Sequence, residues 1–317
     1  MTRRQNFALI GAAGYIAPRH MRAIAESGHQ LVAALDPSDS VGVIDDYFPQ
    51  ARFFTEFERF DRHVYKLRLR GAPEQIDYVS ICSPNYLHDA HIRFALRSGA
   101  NAICEKPLVL NPWNIDPLAE MERSLGWRVF TILQLRLHPA MQALRRQYSE
   151  ASNKVDIDLS YITSRGAWYA VSWKGDRQKS GGVATNIGVH FYDALGWIFG
   201  RCQRNVVHLH DANTAAGELE YERARVRWFL SVDPDDLPPS ARDKQQRTYR
   251  SITIGGKEID FSGGFDRLHT TAYQEILAGQ GFGLEDARAS IEIVHDIREA
   301  TPRGLVGDYH PFAKRKR

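Results

Sequence analysis

The sequence predicts an α/β protein in two parts: a doubly wound parallel sheet in residues 1–136, followed by an α/β domain with a large open, mostly antiparallel sheet in residues 137–317. Two observations support this prediction. In the first part, short apolar runs alternate with helical patterns, which is typical of a parallel sheet covered on both faces. In the second part, apolar residues recur at every second position, which indicates a sheet with one buried face.

The elements of the first part follow from its apolar runs. Five runs predict strands, at residues 7–11, 31–36, 76–82, 101–104 and 128–135. Helical patterns follow at 12–27, 87–99 and 114–125, and Gly99 supplies a stop signal for the second of them. The segment between the second strand and residue 70 is polar and rich in aromatic residues, so no element is predicted there.

The second part begins with a strand at residues 155–162, where apolar residues occupy the odd positions. Residues 224–232 begin with the same alternation, and residues 251–261 predict a hairpin that turns at Gly255–Gly256. One face of such a sheet needs a cover, and a second subunit is the natural candidate.

Composition and charge exclude several classes of protein. With 43% hydrophobic and 25% charged residues the chain resembles ordinary soluble proteins, and a net charge of +3 is too small to predict nucleic-acid binding. No apolar run approaches the roughly 18 residues of a membrane-spanning helix. The three cysteines show no metal-ligand spacing, which predicts reduced thiols, a cytoplasmic location and no metal site. The basic stretch 314–317 is predicted to be a solvated tail.

A nucleotide-binding turn is predicted between the first strand and the first helix. Gly11, Gly14 and Ala17 have the spacing GxxGxxA, and residues without bulk let backbone N–H groups approach a pyrophosphate. Asp36 ends the second strand, where a carboxylate accepts hydrogen bonds from ribose hydroxyls. No arginine follows it to bind a 2′-phosphate, so the pattern favours NAD over NADP in a Rossmann domain. The alternative interpretation is that Asp36–Pro37 is only a turn signal. That interpretation would leave the spacing of Gly11 and Gly14 unexplained.

The carboxyl ends of three predicted strands carry polar residues, at Asp36, 83–88 and 105–107. Ligands of doubly wound sheets bind at this edge, so Glu105 and Lys106 are predicted to lie beside the nicotinamide and the substrate. The alternative for Glu105 is a surface ion pair.

A second group of polar residues lies on a predicted helix over residues 181–200. Asn186 is a candidate N-cap, and Asn186, His190 and Asp193 share one face, so that Asp193 can orient the imidazole. A glycine inside a helix, such as Gly188, lowers helix stability by about 1 kcal/mol relative to alanine. Close approach of a ligand would explain why a glycine is present there. His190 is predicted to be the base of an alcohol oxidation, with Lys106 donating to the reacting oxygen; burial of the lysine would exchange these roles.

The motifs "GAAGYIAPRH", "SICSPNYLH", "CEKPLV" and "GGVATNIGVHFYD" resemble the Gfo/Idh/MocA oxidoreductases over essentially the whole chain. The resemblance implies an N-terminal Rossmann domain and a C-terminal α/β domain whose open sheet forms dimers and tetramers. It also implies catalytic roles for Lys106 and His190. The sequence departs from the family in its GxxGxxA turn and in Asn186, where the family often has aspartate. A neutral amide there would not repel an anionic sugar.

Longer stretches, such as "SWKGDRQKSGG", resemble the subgroup of UDP-2-acetamido-2-deoxyglucuronate 3-dehydrogenases. This resemblance implies NAD-dependent oxidation of the sugar 3-hydroxyl in a cytoplasmic homotetramer, with the ketone passing to an aminotransferase of lipopolysaccharide O-antigen synthesis. The alternatives are a dehydrogenase of another sugar or inositol, and a non-catalytic NAD-binding sensor. The cationic side chains of residues 164–182 suit a diphosphate, and the aromatic side chains of the same loop suit flat rings of a ligand. The alternative is that this loop is merely a solvated basic segment.

The residues expected to contact ligands fall into two groups. The predicted cofactor-binding residues are Gly11, Gly14, Tyr15, Ile16, Asp36, Ser83, Asn85, His88, Glu105, Lys106, Gln134, Trp173 and Lys174. The predicted substrate-binding residues are Lys106, Arg165, Tyr169, Lys179, Asn186 and His190. Trp173 and Lys174 are assigned to the cofactor through the family resemblance, and an assignment to the sugar nucleotide stays open.

Overall fold

The computed structural model describes residues 3–149, 153–259 and 263–316, which form two compact units. The first unit contains the described residues up to Val109, together with Trp113–Gln134 and Asp266–Ala287. The second contains the described residues of Leu110–Pro112, Leu135–Phe265 and Arg288 onward. The sequence patterns did not indicate that residues 266–287 return to the first unit.

The first unit is built on a six-stranded parallel sheet. Its strands are β1 (Asn6–Ile10), β2 (Gln30–Leu35), β3 (Arg52–Phe54), β4 (Tyr78–Ile81), β5 (Asn101–Cys104) and β6 (Val129–Thr131). They lie in the order β3-β2-β1-β4-β5-β6, which is the order of a doubly wound dinucleotide-binding sheet. Every residue of β1 is buried, as a strand covered on both faces requires. The predicted parallel sheet is confirmed.

Eleven α-helices occur in the described residues. They are α1 (Ala17–Glu26), α2 (Phe57–Arg70), α3 (His88–Arg97), α4 (Ile115–Leu125), α5 (Pro139–Tyr148), α6 (Trp168–Val171), α7 (Arg177–Ser180), α8 (Val189–Phe199), α9 (Pro239–Arg242), α10 (Leu268–Leu277) and α11 (Leu284–Glu299). Helix α2 was not predicted, because only Phe60, Val64 and Leu67 of its residues are buried and the rest of the helix is highly charged. None of the described helices combines the length and apolar character needed to cross a membrane.

The second unit is built on a six-stranded mixed sheet. Its strands are β7 (Val155–Thr163), β8 (Cys202–His210), β9 (Thr214–Tyr221), β10 (Ala224–Ser231), β11 (Thr248–Ile254) and β12 (Lys257–Ile259). The order is β12-β11-β7-β10-β9-β8, and only β7 and β10 pair in parallel. The hairpin turn at Gly255–Gly256 is confirmed between β11 and β12, while residues 260–261 of the predicted hairpin lie outside the described residues.

The sheet of the second unit is covered on both faces near the end of β10, where the alternating pattern stops. Trp228 packs edge-on against Tyr192 of α8, and the next residue, Phe229, packs against Phe312 near the C-terminus. Residues Pro311–Lys316 form a 3₁₀ helix, and the Lys316 amine lies 2.9 Å from a carboxylate oxygen of Asp236. Residues 314–316 are exposed, as the prediction of a solvated segment expects, but they are helical and ion-paired instead of forming a free tail; residue 317 lies outside the described residues.

The buried histidine of this C-terminal segment predicts a pH dependence of stability. Burial lowers the pKa of His310 to about 4, and its Nε2 lies 3.0 Å from the Ser160 hydroxyl. Asp158 raises this pKa and Arg227 lowers it, by lesser amounts than burial. The unfolded chain, with an ordinary histidine pKa of about 6.5, binds the proton more readily, so stability is full above that pH and falls as the pH drops toward 4.

Between pH 7 and pH 5 we expect this histidine alone to lower the free energy of unfolding by about 2 kcal/mol. Urea unfolding of the wild type and of His310→Gln at both pH values measures the effect. The variant should lose about 2 kcal/mol less than the wild type over that interval. Equal losses in the two proteins would show that His310 is not buried in its neutral form.

Candidate active site

The glycine turn between β1 and α1 has the close backbone contacts that the motif predicts. Gly11 has φ +91°, and a Cβ placed on it would lie 2.6 Å from the carbonyl carbon of Cys82, after β4. A Cβ on Gly14 would lie 3.0 Å from the Gly11 carbonyl oxygen. Only glycine fits at position 11, because both the backbone conformation and the neighbouring chain exclude a side chain.

The amino-terminal end of α1 is suited to bind an anion. Ile16 is the N-cap residue and provides no side-chain hydrogen bond to the first turn. In this turn the N–H groups of Ala17 and Arg19 donate to the carbonyl oxygens of Gly14 and Ile16, and Pro18 has no N–H, so the helix dipole is what favours phosphate groups here. Tyr15 precedes this end with 83% of its surface exposed.

Asp36 is held in position directly after β2. One carboxylate oxygen accepts a hydrogen bond from the Ala13 N–H in the glycine turn (3.0 Å), and the other accepts from the Ser38 N–H (2.9 Å). The carboxylate retains lone pairs for further donors, because each oxygen can accept more than one hydrogen bond. The predicted ribose ligand is thus joined to the predicted phosphate-binding turn.

Polar residues also follow β4 and β6. Ser83 is buried, and its hydroxyl lies 2.8 Å from His91 Nδ1 in α3. Asn85 is buried in a single 3₁₀ turn before α3. Gln134 is buried, and its Oε1 has no hydrogen-bond partner among the described residues. An unpartnered buried acceptor of this kind fits a site that receives a ligand with a polar donor.

His88, in contrast, supports the backbone of the site. Its Nδ1 lies 2.7 Å from the Pro107 carbonyl oxygen and its Nε2 lies 2.9 Å from that of Ser83. Burial lowers the pKa of His88 and the two carbonyl contacts raise it. A neutral ring donates to one carbonyl at a time and a protonated ring to both. Neither ring nitrogen is left for a direct contact with a cofactor.

Glu105 and Lys106 follow β5, as predicted, but the acid is not part of a surface ion pair. Glu105 is 6% exposed, and one of its oxygens lies 3.0 Å from the Nε2 atoms of both His20 and His269. Its other oxygen accepts from the Lys106 N–H at 3.2 Å. Burial alone would raise the pKa of Glu105, but the histidine hydrogen bonds hold it well below its ordinary value.

This cluster of Glu105, His20 and His269 could hardly be predicted from the sequence. His20 lies in α1 and His269 in α10, and no local spacing relates residues that are so distant along the chain. The one available signal is that His20 shares the buried face of α1 with Met21 and Ile24. A polar residue on an apolar helix face requires a buried hydrogen-bond partner.

In the second unit, Asn186 lies in a π-helical turn, Ala184–Gly188, that leads into α8. The prediction that Asn186 is an N-cap is therefore wrong, because the turn is already helical at that residue and lacks a side-chain cap. Its side-chain N–H donates to the Tyr169 hydroxyl at 2.8 Å, which joins two predicted substrate-binding residues. Burial raises the pKa of Tyr169, and the contact with Asn186 opposes this rise. Single π turns frequently occur at functional sites.

Packing explains Gly188 without a ligand. A Cβ on this residue would lie 2.5 Å from Leu230 Cδ1 in β10 and 2.9 Å from the ring of Tyr192. The interpretation that a ligand approaches Gly188 is therefore unnecessary.

His190 lies in the first turn of α8 and is partly buried, and Asp193 lies on the same helix. Asp193 is buried and binds Arg136 through two hydrogen bonds of 2.7 and 3.0 Å. Breaking a buried pair of this kind leaves an unpaired charge, at a cost of about 3–5 kcal/mol. Asp193 therefore has a structural role, and its orientation of the His190 imidazole stays a prediction.

The loop of residues 164–182 contains the predicted cationic and aromatic groups. The Lys174 amine lies 5.3 Å from the ring centre of Trp168 and 5.5 Å from that of Trp173. Asp176 caps α7 and lies 3.5 Å from the amine of Lys179. Arg165 and Lys179 are exposed, and Trp173 and Lys174 are partly buried. The contacts of Lys174 with aromatic rings show that this part of the loop is more than a solvated basic run.

The strand order, the glycine turn and the fixed carboxylate after β2 define the first unit as a dinucleotide-binding domain. Two family models match the chain. The model described as "Oxidoreductase family, NAD-binding Rossmann fold" matches residues 5–132, and the model described as "Oxidoreductase family, C-terminal alpha/beta domain" matches residues 153–234. The chain belongs to the Gfo/Idh/MocA family of oxidoreductases.

Solved structures are similar over the full length. The Thermus thermophilus WlbA (WbpB) dehydrogenase, solved in complex with NAD and α-ketoglutarate, shares 51% identity with a TM-score of 0.94, over 97% of this chain and 99% of that one. The same dehydrogenase in complex with NAD and UDP-GlcNAcA gives a TM-score of 0.93 at the same identity and coverage. The Bordetella pertussis WlbA dehydrogenase shares 18% identity with a TM-score of 0.76, over 97% and 99% of the chains, which shows a common fold.

Curated relatives match over part of the chain. The D-glucoside 3-dehydrogenase of Escherichia coli K12 is 30% identical over 131 residues, which are 39% of this chain and 36% of that protein. The chain thus spans about a third of the length of the curated relatives that it matches.

Proposed function

We propose that this protein oxidises the 3-hydroxyl of UDP-2-acetamido-2-deoxyglucuronate (UDP-GlcNAcA) to the ketone, with NAD as cofactor. The main support for this proposal is the 51% identity to a dehydrogenase whose structure was solved with NAD and UDP-GlcNAcA. The residues of the glycine turn and of the strand ends fit the cofactor.

The first unit has groups suited to each part of NAD. The glycine turn and the positive dipole end of α1 would hold the pyrophosphate, and Asp36 would accept from the ribose hydroxyls. The unpartnered acceptor of Gln134 suits a polar donor such as the carboxamide. When bound, NAD supplies the acceptor for the hydride that leaves carbon 3 of the sugar.

His190 and Lys106 are proposed to manage the hydroxyl proton. His190 accepts the proton as base, while the Lys106 amine donates a hydrogen bond to the same oxygen as it becomes a carbonyl. An ordinary histidine pKa of about 6.5 suits a base at neutral pH. An ordinary lysine pKa is about 3 units above neutrality, so lysine would need about 4 kcal/mol of perturbation to replace it.

The sugar carboxylate is proposed to be tolerated because position 186 holds a neutral amide. Asn186→Asp places a negative charge where the amide donates to Tyr169, and the Tyr169 hydroxyl can donate to that carboxylate instead. We expect kcat/KM for UDP-GlcNAcA to fall about 100-fold, because the new carboxylate repels the carboxylate of the sugar.

Asn186→Ala serves as the control for this prediction, because it removes the hydrogen bond without adding charge. Steady-state rates with UDP-GlcNAcA and with the neutral UDP-GlcNAc separate the two effects. A smaller relative loss for the neutral sugar in Asn186→Asp is the expected result. Equal losses for both sugars would contradict the electrostatic explanation.

The proposed reaction is tested with UDP-GlcNAcA that carries deuterium on carbon 3. Incubation with NAD should give the 3-keto sugar and NADH with deuterium at carbon 4 of the nicotinamide. Turnover of inositol or a neutral sugar, without turnover of UDP-GlcNAcA, would favour the alternative dehydrogenase. Tight NAD binding without oxidation of any of these sugars would favour the sensor.

A second proposal concerns the fate of NADH, and the complex of the Thermus relative with NAD and α-ketoglutarate supports it. We propose that α-ketoglutarate takes up the hydride and a proton to give 2-hydroxyglutarate, which regenerates NAD on the protein. With NAD present at one equivalent per protein, added α-ketoglutarate should permit many turnovers of UDP-GlcNAcA. A yield limited to one equivalent would contradict this proposal.

The cellular role and the assembly are also proposals. The ketone suits an aminotransferase of lipopolysaccharide O-antigen synthesis, a cytoplasmic process. The charged face of the second sheet, with Asp156 3.5 Å from Arg225 and Asp158 2.6 Å from Arg227, is proposed to join subunits into a homotetramer. The mass of the protein in solution tests this assembly.

A further inference from the structure

The end of β5 is attached to three other elements of the first unit through a buried chain of hydrogen bonds. Glu105 binds His20 and His269, as described above, and the other ring nitrogen of His20 lies 2.7 Å from the Tyr273 hydroxyl. That hydroxyl lies 2.6 Å from the Ser80 hydroxyl in β4. All five side chains are buried.

With Glu105 ionised and His20 neutral, the donors and acceptors of this hydrogen-bonded cluster allow only one arrangement. Both histidines must donate from Nε2, because an ionised carboxylate only accepts. In a neutral ring the Nδ1 of His20 then accepts from Tyr273, whose oxygen accepts from Ser80. Burial lowers the pKa of His20, which agrees with a neutral ring, and the pKa of Glu105 is held low, which agrees with an anion.

A carboxylate is required at position 105 because its two oxygens accept in different directions. One oxygen takes the two histidine N–H groups, and the other takes the N–H of Lys106. A glutamine has one accepting oxygen and one N–H₂ group, so it cannot satisfy both sets of donors. Its N–H₂ group would face either the N–H groups of the two histidines or the N–H of Lys106, and two donors cannot form a hydrogen bond.

Residues 266–287 complete this cluster, which gives a reason for their place in the first unit. Helix α10 contributes both His269 and Tyr273, and it is joined to α1 by the Thr270 hydroxyl, which donates to Glu26 at 2.8 Å. The chain thus returns to the first unit at the residues that hold Glu105.

The main chain that follows Lys106 is also held by a hydrogen bond. The carbonyl oxygen of Pro107 lies 2.7 Å from Nδ1 of the buried His88. The main chain before and after Lys106 is therefore attached to buried side chains, while Lys106 itself is only partly buried.

We propose that Glu105, His20 and His269 are positioning residues, which fix the main chain at Lys106 and so hold its amine at the reacting oxygen. This inference rests on the proposed function of Lys106. The three side chains act through Lys106 and need no contact with substrate or cofactor. A lysine has a long and flexible side chain, so fixing its backbone reduces the range of positions that the amine can take. Misplacement by about 1 Å can cost about 100-fold in rate.

The test uses the variant Glu105→Gln and two matched variants of His269, namely His269→Gln and His269→Leu. Glu105→Gln should lower kcat about 10- to 100-fold, with the dissociation constant of NAD within about threefold of wild type. His269→Gln keeps an N–H near the position of Nε2 and should stay within about threefold, whereas His269→Leu should lose about tenfold in kcat. Circular dichroism and the melting temperature establish that each variant is folded.

Two measurements separate positioning from a general structural role. In the Lys106→Met background, Glu105→Gln should change the residual rate by less than about twofold, since residues that act as a unit are non-additive. Amide hydrogen exchange at residue 106 should accelerate about tenfold in Glu105→Gln and in His269→Leu, and stay near the wild-type rate in His269→Gln. This exchange needs no substrate, so it tests the anchor even if UDP-GlcNAcA proves not to be the substrate.

Several results would overturn the proposal. Unchanged exchange at residue 106, or an activity loss in His269→Gln equal to that in His269→Leu, would show that Glu105 does not hold Lys106. The atoms of His20, Glu105 and His269 also lie within 4.8 Å of one another, a spacing that a metal ion accepts. About one equivalent of transition metal in the purified protein, lost in His269→Leu, would contradict the hydrogen-bond arrangement.

Discussion

Lys106→Met is expected to lower kcat about 1,000-fold while the affinity for NAD changes by no more than a few fold. Methionine has a similar length and no charge, so the variant removes the donor to the reacting oxygen and leaves the glycine turn and Asp36 unchanged. The loss should fall on kcat, because the amine acts most strongly on the oxygen as its charge develops. Stopped-flow measurement of NADH formation and titration with NAD give the two quantities.

The matched control for this prediction is Lys66→Met, which removes an exposed lysine of α2 in the same unit. It should keep the wild-type rate. A Lys106→Met protein that retains near-normal kcat would remove the lysine from the mechanism and would also remove the purpose proposed for Glu105.

His190→Asn is expected to lower kcat by about 100- to 10,000-fold, the range that removal of a general base produces. Asparagine retains a polar group of similar size but cannot accept a proton at neutral pH. Added imidazole should restore part of the rate if a cavity is left at the ring position. In the wild type, kcat should decrease at low pH as the base becomes protonated, and this decrease should be absent in the variant.

His63→Asn is the control for His190→Asn, since His63 is a partly exposed histidine of α2. It should have the wild-type rate and pH profile. If His190→Asn kept the low-pH decrease of the wild type, another group would be the base. Lys106 would then be the first candidate, as the exchange of roles discussed above allows.

The fold of the first unit could be predicted because its central strands are buried on both faces. β1, β4 and β5 are short and mainly apolar, and the turn signals between them are strong. Strand β3 has only three residues and begins with the exposed Arg52, so its pattern could not be distinguished from a loop. β10 could be predicted only in its first half, because four consecutive buried residues, 228–231, end its alternation where both faces of the sheet are covered.

Features of the candidate site could be predicted where they depend on neighbours in the sequence. Gly11, Asp36 and Lys106 are tied to strand ends that the sequence marks clearly. The π turn at Asn186 was missed, because an i→i+5 turn leaves the same apolar pattern as the start of an α-helix. The partners of Glu105 were missed for a different reason: hydrogen bonds to His20 and His269 depend on tertiary contacts between distant segments.

The most direct test of the mechanism is a crystal structure of the protein with NAD and UDP-GlcNAcA bound. The measurement is the distance from the Lys106 amine and from the nearer ring nitrogen of His190 to the 3-hydroxyl oxygen of the sugar. Both distances should lie near 2.6–3.2 Å, about the range in which a proton passes directly. A complex in which either nitrogen lies far from that oxygen, with the sugar carbon facing the nicotinamide, would contradict the proposed pair.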